Sequence, residues 1–180
     1  MRSSIILLLA TLIAFTGCEL RQQSNAQGMP RSTSDFQNRF YSRTDTTALK
    51  LPDSVWRKVL PDSIYQVARN KETQQAFTGA YWNYTGIGTY YCAACGNALF
   101  RSDAKFASTC GWPSFFETLR VTSVKYEADN THGMERTEVL CGRCDAHLGH
   151  LFDDGPPPTG KRYCMNSVSL DFEPDEKLRK

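Results

Sequence analysis

Cys141-Gly-Arg-Cys144-Asp-Ala-His147-Leu-Gly-His150, followed by Arg162-Tyr-Cys164-Met-Asn166, is the stretch that decides how this chain is read. Its first two cysteines have metal-ligand spacing, and the spacing recurs upstream at Cys92-Ala-Ala-Cys95. Two such pairs offer four thiolates, enough for tetrahedral zinc with no open coordination position, which is the composition of a structural site. Gly96 and Gly142 suit the tight turns that bend backbone amides toward the sulfurs. Two other readings stay open. Disulfides fit an oxidising compartment, and one pair alone resembles a thioredoxin-like dithiol, though no βαβ pattern surrounds either. Two identical pairs favour zinc.

Around these pairs the texture is short β-type runs separated by Gly, Asp, Asn or Pro. The runs are Gly88–Cys92, Ala98–Arg101, Val121–Glu127, Arg136–Leu140, Leu148–Phe152, Arg162–Asn166 and Val168–Phe172. Strands at that spacing without intervening helices predict antiparallel sheets. Upstream, Pro52-Asp53-Ser54 and Pro61-Asp62-Ser63 start two short helices carrying Val55, Trp56, Val59 and Leu60, then Ile64, Tyr65, Val67 and Ala68. The expected fold is mainly β: two antiparallel sheets, tent-like or open-barrel-like, with short N-terminal helices and a four-cysteine zinc site.

Three cysteines remain outside the pairs: Cys18, Cys110 and Cys164. In a strand, alternate residues share a face, so Arg162, Cys164 and Asn166 point one way and Tyr163 and Met165 the other. A neighbouring guanidinium favours a thiolate, which marks Cys164 as reactive; the bland reading is an inert buried thiol. His147 and His150 can deliver a proton near neutrality. Strict alternation would send them to opposite faces, so either Gly149 marks a bulge or one imidazole is structural. Cys110 lies in Thr-Cys-Gly-Trp112-Pro-Ser, a surface-loop composition that lets one thiol reach another and offers an indole as an apolar wall. His132, in Asp-Asn-Thr-His-Gly, is expected in an exposed loop.

Composition sets the outer bounds. At 180 residues, 41% apolar, 22% charged and with a net charge of +2, the chain suits one globular domain plus a tail and gives no reason to propose nucleic acid as a partner. Arg2 precedes an apolar run, Ile5 to Phe15, too short to span a bilayer, ending in Phe15-Thr-Gly-Cys18. Residues 1–18 are thus read as an export signal with a lipobox-like end and Cys18 as the lipidated residue, the alternative being plain cleavage near Gly17. Residues 19–50 are expected as a flexible polar spacer, and 51–180 as the domain.

These residues resemble the type B methionine-R-sulfoxide reductases. The resemblance rests on Ala76-Phe-Thr-Gly-Ala-Tyr81, Cys92-Ala-Ala-Cys95-Gly, Gly111-Trp-Pro-Ser-Phe115, the stretch Cys141 to His150, Asp154-Gly-Pro156 and Arg162-Tyr-Cys-Met-Asn-Ser167, in the family's order. It implies that Cys164 is the nucleophile and Cys110 the resolving cysteine, which would close a Cys110–Cys164 disulfide. It implies that Trp112 receives the substrate methyl group and that His150, with His147 nearby, holds and protonates the sulfoxide oxygen. Arg162, Asn166 and Asp154 then form the supporting polar shell. It implies, too, that Cys92, Cys95, Cys141 and Cys144 hold structural zinc. The implied substrates are proteins bearing methionine sulfoxide, and the electron donor a thioredoxin-like protein. A monomer is expected, exported to the cell envelope or periplasm and held to the membrane by its lipid. Asp154-Gly-Pro-Pro-Pro-Thr-Gly-Lys161 departs from the family's variable, Gly-rich turn. Two rivals compete: a general thiol–disulfide oxidoreductase, and a non-catalytic zinc module that binds a protein.

Overall fold

The computed structural model describes residues 38–176. Helices α1 (Asp53–Val59) and α2 (Asp62–Ala68) each start directly after a proline, Pro52 and Pro61. Proline's fixed φ and missing N–H suit the start of a helix, and Asp53 and Asp62 in the first turns complement the helix dipole. Seven residues are too few for a helix to persist in water by itself, so packing sustains both. Trp56 is buried from α1, and Tyr65, Val67 and Ala68 from α2.

The strands are β1 (Gly88–Cys92), β2 (Ala98–Arg101), β3 (Lys105–Phe106), β4 (Ser114–Phe115), β5 (Val124–Asp129), β6 (Arg136–Cys141), β7 (His147–Phe152), β8 (Arg162–Met165) and β9 (Leu170–Pro174). They form two antiparallel sheets, β2-β1-β9 and β3-β4-β8-β7-β6-β5. The expected architecture is present, with two adjustments. Val121–Ser123 and Ser167–Ser169 are 3₁₀ turns, so the flanking strands begin at Val124 and Leu170. Strands β3 and β4, of two residues each, are too short for an alternating pattern to announce.

Aromatic rings join the sheets. Phe100 of β2 stacks on Phe115 of β4, centroids 4.3 Å apart, and Tyr90 of β1 meets Phe115 edge-on at 5.0 Å. Tyr163 of β8 leans on Phe100 at 5.7 Å. These offset and edge contacts place the core between the two sheets and fix how they face one another.

The spacer expectation needs correction at its C-terminal end. Residues 38–50 lie against the domain rather than free of it. Phe40 meets Trp56 edge-on, Tyr41 donates to Asp171, and Arg43 pairs with Asp171 at 2.7 Å. The segment is polar because its partners are polar: buried carboxylate and backbone carbonyls order it, and a search for apolar periodicity cannot see them. The expected signal, Cys18 and residues 19–37 lie outside the described residues. No helix among the described residues is long and apolar enough to cross a membrane.

Candidate active site and metal centre

The turns between β1 and β2 and between β6 and β7 bring four cysteines to one buried point. Cys92, Cys95, Cys141 and Cys144 have all their Sγ atoms within 4.8 Å of one another. Cys92 and Cys144 are 3.8 Å apart and Cys95 and Cys141 3.6 Å, far beyond the roughly 2.05 Å of a disulfide. Sulfurs about 2.3 Å from a tetrahedral zinc would stand about 3.8 Å apart, so the spacing fits the cation and excludes the two-disulfide reading. The thiols cannot all ionise unaided: hydrogen bonding to Cys141 and its neighbours pushes Cys92 well up, while bonds from Cys144, Cys92 and Cys95 overcome burial and hold Cys141 well down. A divalent cation is the group that would let four thiolates coexist there.

The second site follows from strand register. In the larger sheet Cys164 of β8 sits opposite His150 of β7 on one side and Ser114 of β4 on the other. The loop leading into β4 carries Cys110, and its Sγ lies 3.5 Å from that of Cys164. Arg162 and Cys164 are partly exposed while Tyr163 and Met165 are buried, as alternation predicts. Thr73, Trp112, Arg136, Gly149, His150, Phe152, Cys164 and Asn166 line a cavity of about 200 Å³. Cys164 opens into it; Cys110 faces Cys164 from outside.

The charge within this pair does not rest where the sequence placed it. Burial opposes ionisation of Cys110, yet hydrogen bonds with Ser108, Ser114, the Trp112 backbone and Cys164 bring its pKa down to about 7. Burial, together with the charge and hydrogen bond of Cys110, pushes Cys164 up to about 12, and Arg162 only partly offsets this. The reason is plain: Arg162 is bidentate to Asp154, at 2.7 and 2.9 Å, so its charge is largely answered before it reaches the sulfur. Two thiols this close titrate as one unit, its first proton leaving near neutrality.

The histidine ambiguity resolves as a bulge. Val139 pairs with Gly149 but Leu140 with His147, so Leu148 is the extra residue and both imidazoles reach the same side, ring centroids 5.4 Å apart. Gly149 is required there, because a Cβ would meet the Cys164 carbonyl at 2.1 Å. Their surroundings differ. His150 lines the cavity and bonds Asp129 through Nε2 at 2.7 Å, with Arg136 on the same carboxylate at 2.6 Å. His147 is buried and bonds Glu138 through Nδ1 at 2.7 Å, with Lys71 on the other carboxylate oxygen. Burial holds the His147 pKa below the usual imidazole value despite Glu138. His147 is not among the residues lining that cavity; with His150 it lines an adjoining one.

Trp112 forms one wall, its indole N–H donating to the Gln74 carbonyl at 2.9 Å. Asn166, expected in the supporting polar shell, holds the frame: its Oδ1 accepts from the Gln74 amide at 2.9 Å and its Nδ2 donates to the Leu148 carbonyl at 3.2 Å. His132 is exposed, as expected. Sequence reasoning missed Thr73, Arg136, Phe152, Asp129, Glu138 and Gln74. Glu138 alone carried a signal, a carboxylate directly before the apolar Val139-Leu140-Cys141 that end β6.

Comparison with known proteins agrees with this geometry. A family model described as the SelR domain matches residues 60–174. A "Peptide methionine sulfoxide reductase MsrB" of Thiobacillus denitrificans is 55% identical over 124 residues, 69% of this chain and 94% of the relative. Proteins of the same name from Acinetobacter baylyi and Herminiimonas arsenicoxydans are 52% and 54% identical, each over 88% of its own length. A cysteine pair poised at an indole-walled cavity, a closed four-thiol cluster and relatives of this similarity lead to one conclusion: the chain belongs to the SelR-domain family, the type B methionine sulfoxide reductases.

Proposed function

We propose that this protein reduces methionine-(R)-sulfoxide in polypeptides to methionine. The observation that carries the reading is the 3.5 Å Cys110–Cys164 contact at the mouth of a cavity shared by Trp112 and His150. The sulfoxide methyl group rests on Trp112 and Phe152, and its oxygen points to His150. Cys164 attacks the sulfoxide sulfur and its thiol proton passes to Cys110, across the short contact. His150 supplies the proton that the departing oxygen needs. The S–O bond moves from substrate to enzyme: methionine leaves and Cys164 becomes a sulfenic acid. Cys110 then displaces that oxygen as water and closes the Cys110–Cys164 disulfide. A thioredoxin-like dithiol reduces it and is itself oxidised.

His147 and Glu138 hold His150 from behind, and Asp129 orients it. Arg162 and Asp154 brace β8. Zinc bound by Cys92, Cys95, Cys141 and Cys144 would be closed by four thiolates, with no position left for water, and so supplies cohesion rather than chemistry. Export, a lipid at Cys18, a place in the cell envelope and a monomeric state complete the proposal; the lipobox-like end of the apolar leader supports the first three. A general thiol–disulfide oxidoreductase would use the same two cysteines but has no use for the indole wall or for His150.

The deciding experiment offers separated R and S epimers of a blocked methionine sulfoxide to the reduced protein. One cavity with one oxygen-binding side accepts only the R epimer; equal consumption of both, or of neither, rejects the proposal.

Cys110→Ser separates the two half-reactions. Without the Cys110 thiolate that takes the Cys164 proton, the variant is expected to release about one methionine per enzyme molecule, more slowly than the unmodified protein, and then stop in thioredoxin-driven assays. Its thiol titration should also move in a definite direction. In the unmodified protein alkylation rises through pH 7, on Cys110. In the variant the Cys164 midpoint falls below about 12, because the Cys110 charge and hydrogen bond that raise it are gone. Mass-resolved labelling against pH reads both; full recycling by the variant would dismiss Cys110 as resolver.

A further inference from the structure

The segment 38–50 makes contacts concentrated on the two cysteine turns. Asn38 Nδ2 donates to the Ala94 carbonyl at 2.8 Å, and the Ser42 amide to the Cys95 carbonyl at 3.0 Å. The Leu49 amide donates to the Arg143 carbonyl at 2.7 Å, inside the other turn. Between them lies Arg143, whose side chain is only 3% exposed. Its guanidinium donates to the carbonyls of Cys95, Phe40 and Thr47 and to the Asp45 carboxylate. A buried guanidinium needs acceptors for its donors, and all but one of these come from the strap. The approach is close: at Gly96, φ +78°, a Cβ would stand 2.6 Å from the Ser42 carbonyl oxygen.

The strap lies before residue 60, where the family match begins, and none of its residues is among those that line the reaction cavity. Its amides and Asp45 cover the outer face of both turns, and Arg143 ties each turn to the strap and to the other. Opening this layer is the step that would hydrate the turn carbonyls and let a competing ligand reach the sulfurs.

We propose that residues 38–50 are a metal-retention strap, which slows release of zinc from the four-cysteine centre and takes no part in turnover. This rests on the zinc reading of that centre. The test uses the full chain carrying Asn38→Ala, Ser42→Pro and Asp45→Ala together, which removes one side-chain donor, one amide donor and one carboxylate from the strap. Zinc is followed as it passes to a chromogenic chelator under native conditions. Loss of these bonds should speed release roughly tenfold or more, with turnover of blocked methionine-(R)-sulfoxide unchanged. Release at the rate of the zinc-loaded unmodified chain overturns the proposal; an unmodified chain purified without zinc overturns the metal reading beneath it. Hydrogen exchange supplies an independent check that needs no substitution. The Ser42 and Leu49 amides of the zinc-loaded protein should be protected, and exchange at the rate of free peptide would also overturn the strap.

Discussion

Cys164→Ser is expected to lower methionine-(R)-sulfoxide reduction by roughly 10⁴-fold or more, while the fold survives. Serine is close to cysteine in volume, and Cys164 is partly exposed on an interior strand whose two neighbours hold it by backbone bonds, so melting should shift little. Chemistry changes completely. A hydroxyl cannot accept the sulfoxide oxygen to form a sulfenic acid, so no S–O bond can be made at this position. The serious rival for the role is Cys110, because its thiol ionises near neutrality and that of Cys164 does not. Position decides between them. Cys110 is not among the residues that line the cavity, whereas Cys164 is, and it needs only to pass one proton over 3.5 Å. Methionine released from the R epimer, with a thermal melt as control, reads the outcome. Turnover retained in Cys164→Ser would transfer the nucleophile to Cys110.

Both sheets, both helices and the metal cluster were legible because each rests on local pattern: period-two burial in β1 and β8, proline-led helix starts, and duplicated cysteine spacing. What escaped depends on pairing across the sheet. That Cys164 lies between His150 and Ser114 follows from the β7–β8 and β8–β4 registers, which no single strand encodes. The histidines illustrate the boundary. Their spacing of three with glycine between raised the choice of bulge or structural imidazole, and the structure takes both: the bulge gathers them on one side, and burial against Glu138 sets His147 behind. Arg162 fails differently. Adjacency to Cys164 was correct, but Asp154 eight residues earlier takes up its charge, a partner supplied by the fold of the Pro-rich turn. The strap was missed because its order comes from hydrogen bonds to buried acceptors rather than from apolar burial.

Replacing Cys95 and Cys141 together by serine should cost more than any change in the reaction cavity, leaving the domain unfolded near room temperature. The cluster sits where the β1–β2 turn of the small sheet meets the β6–β7 turn of the large one, within the same buried core as the aromatic rings, so one ion there would fasten the two sheets to each other. The facing sulfurs are 46 and 52 residues apart in sequence, and closing loops of that length is entropically unfavourable without a strong bond at the junction. Structural zinc sites contribute about 10–16 kcal/mol, against a total stability of about 5–15 kcal/mol for a typical domain, so losing the ion can erase the folded state. Without the cation the thiols cannot all ionise, since hydrogen bonding to Cys141 and burial push Cys92 and Cys144 up while Cys141 is held down. Metal content and the loss of far-ultraviolet ellipticity on heating measure the effect, with Cys110→Ser as the control that should melt near the unmodified protein. A double variant free of metal yet melting within a few degrees of its parent would show that the aromatic core alone joins the sheets, and the cluster would lose its structural role.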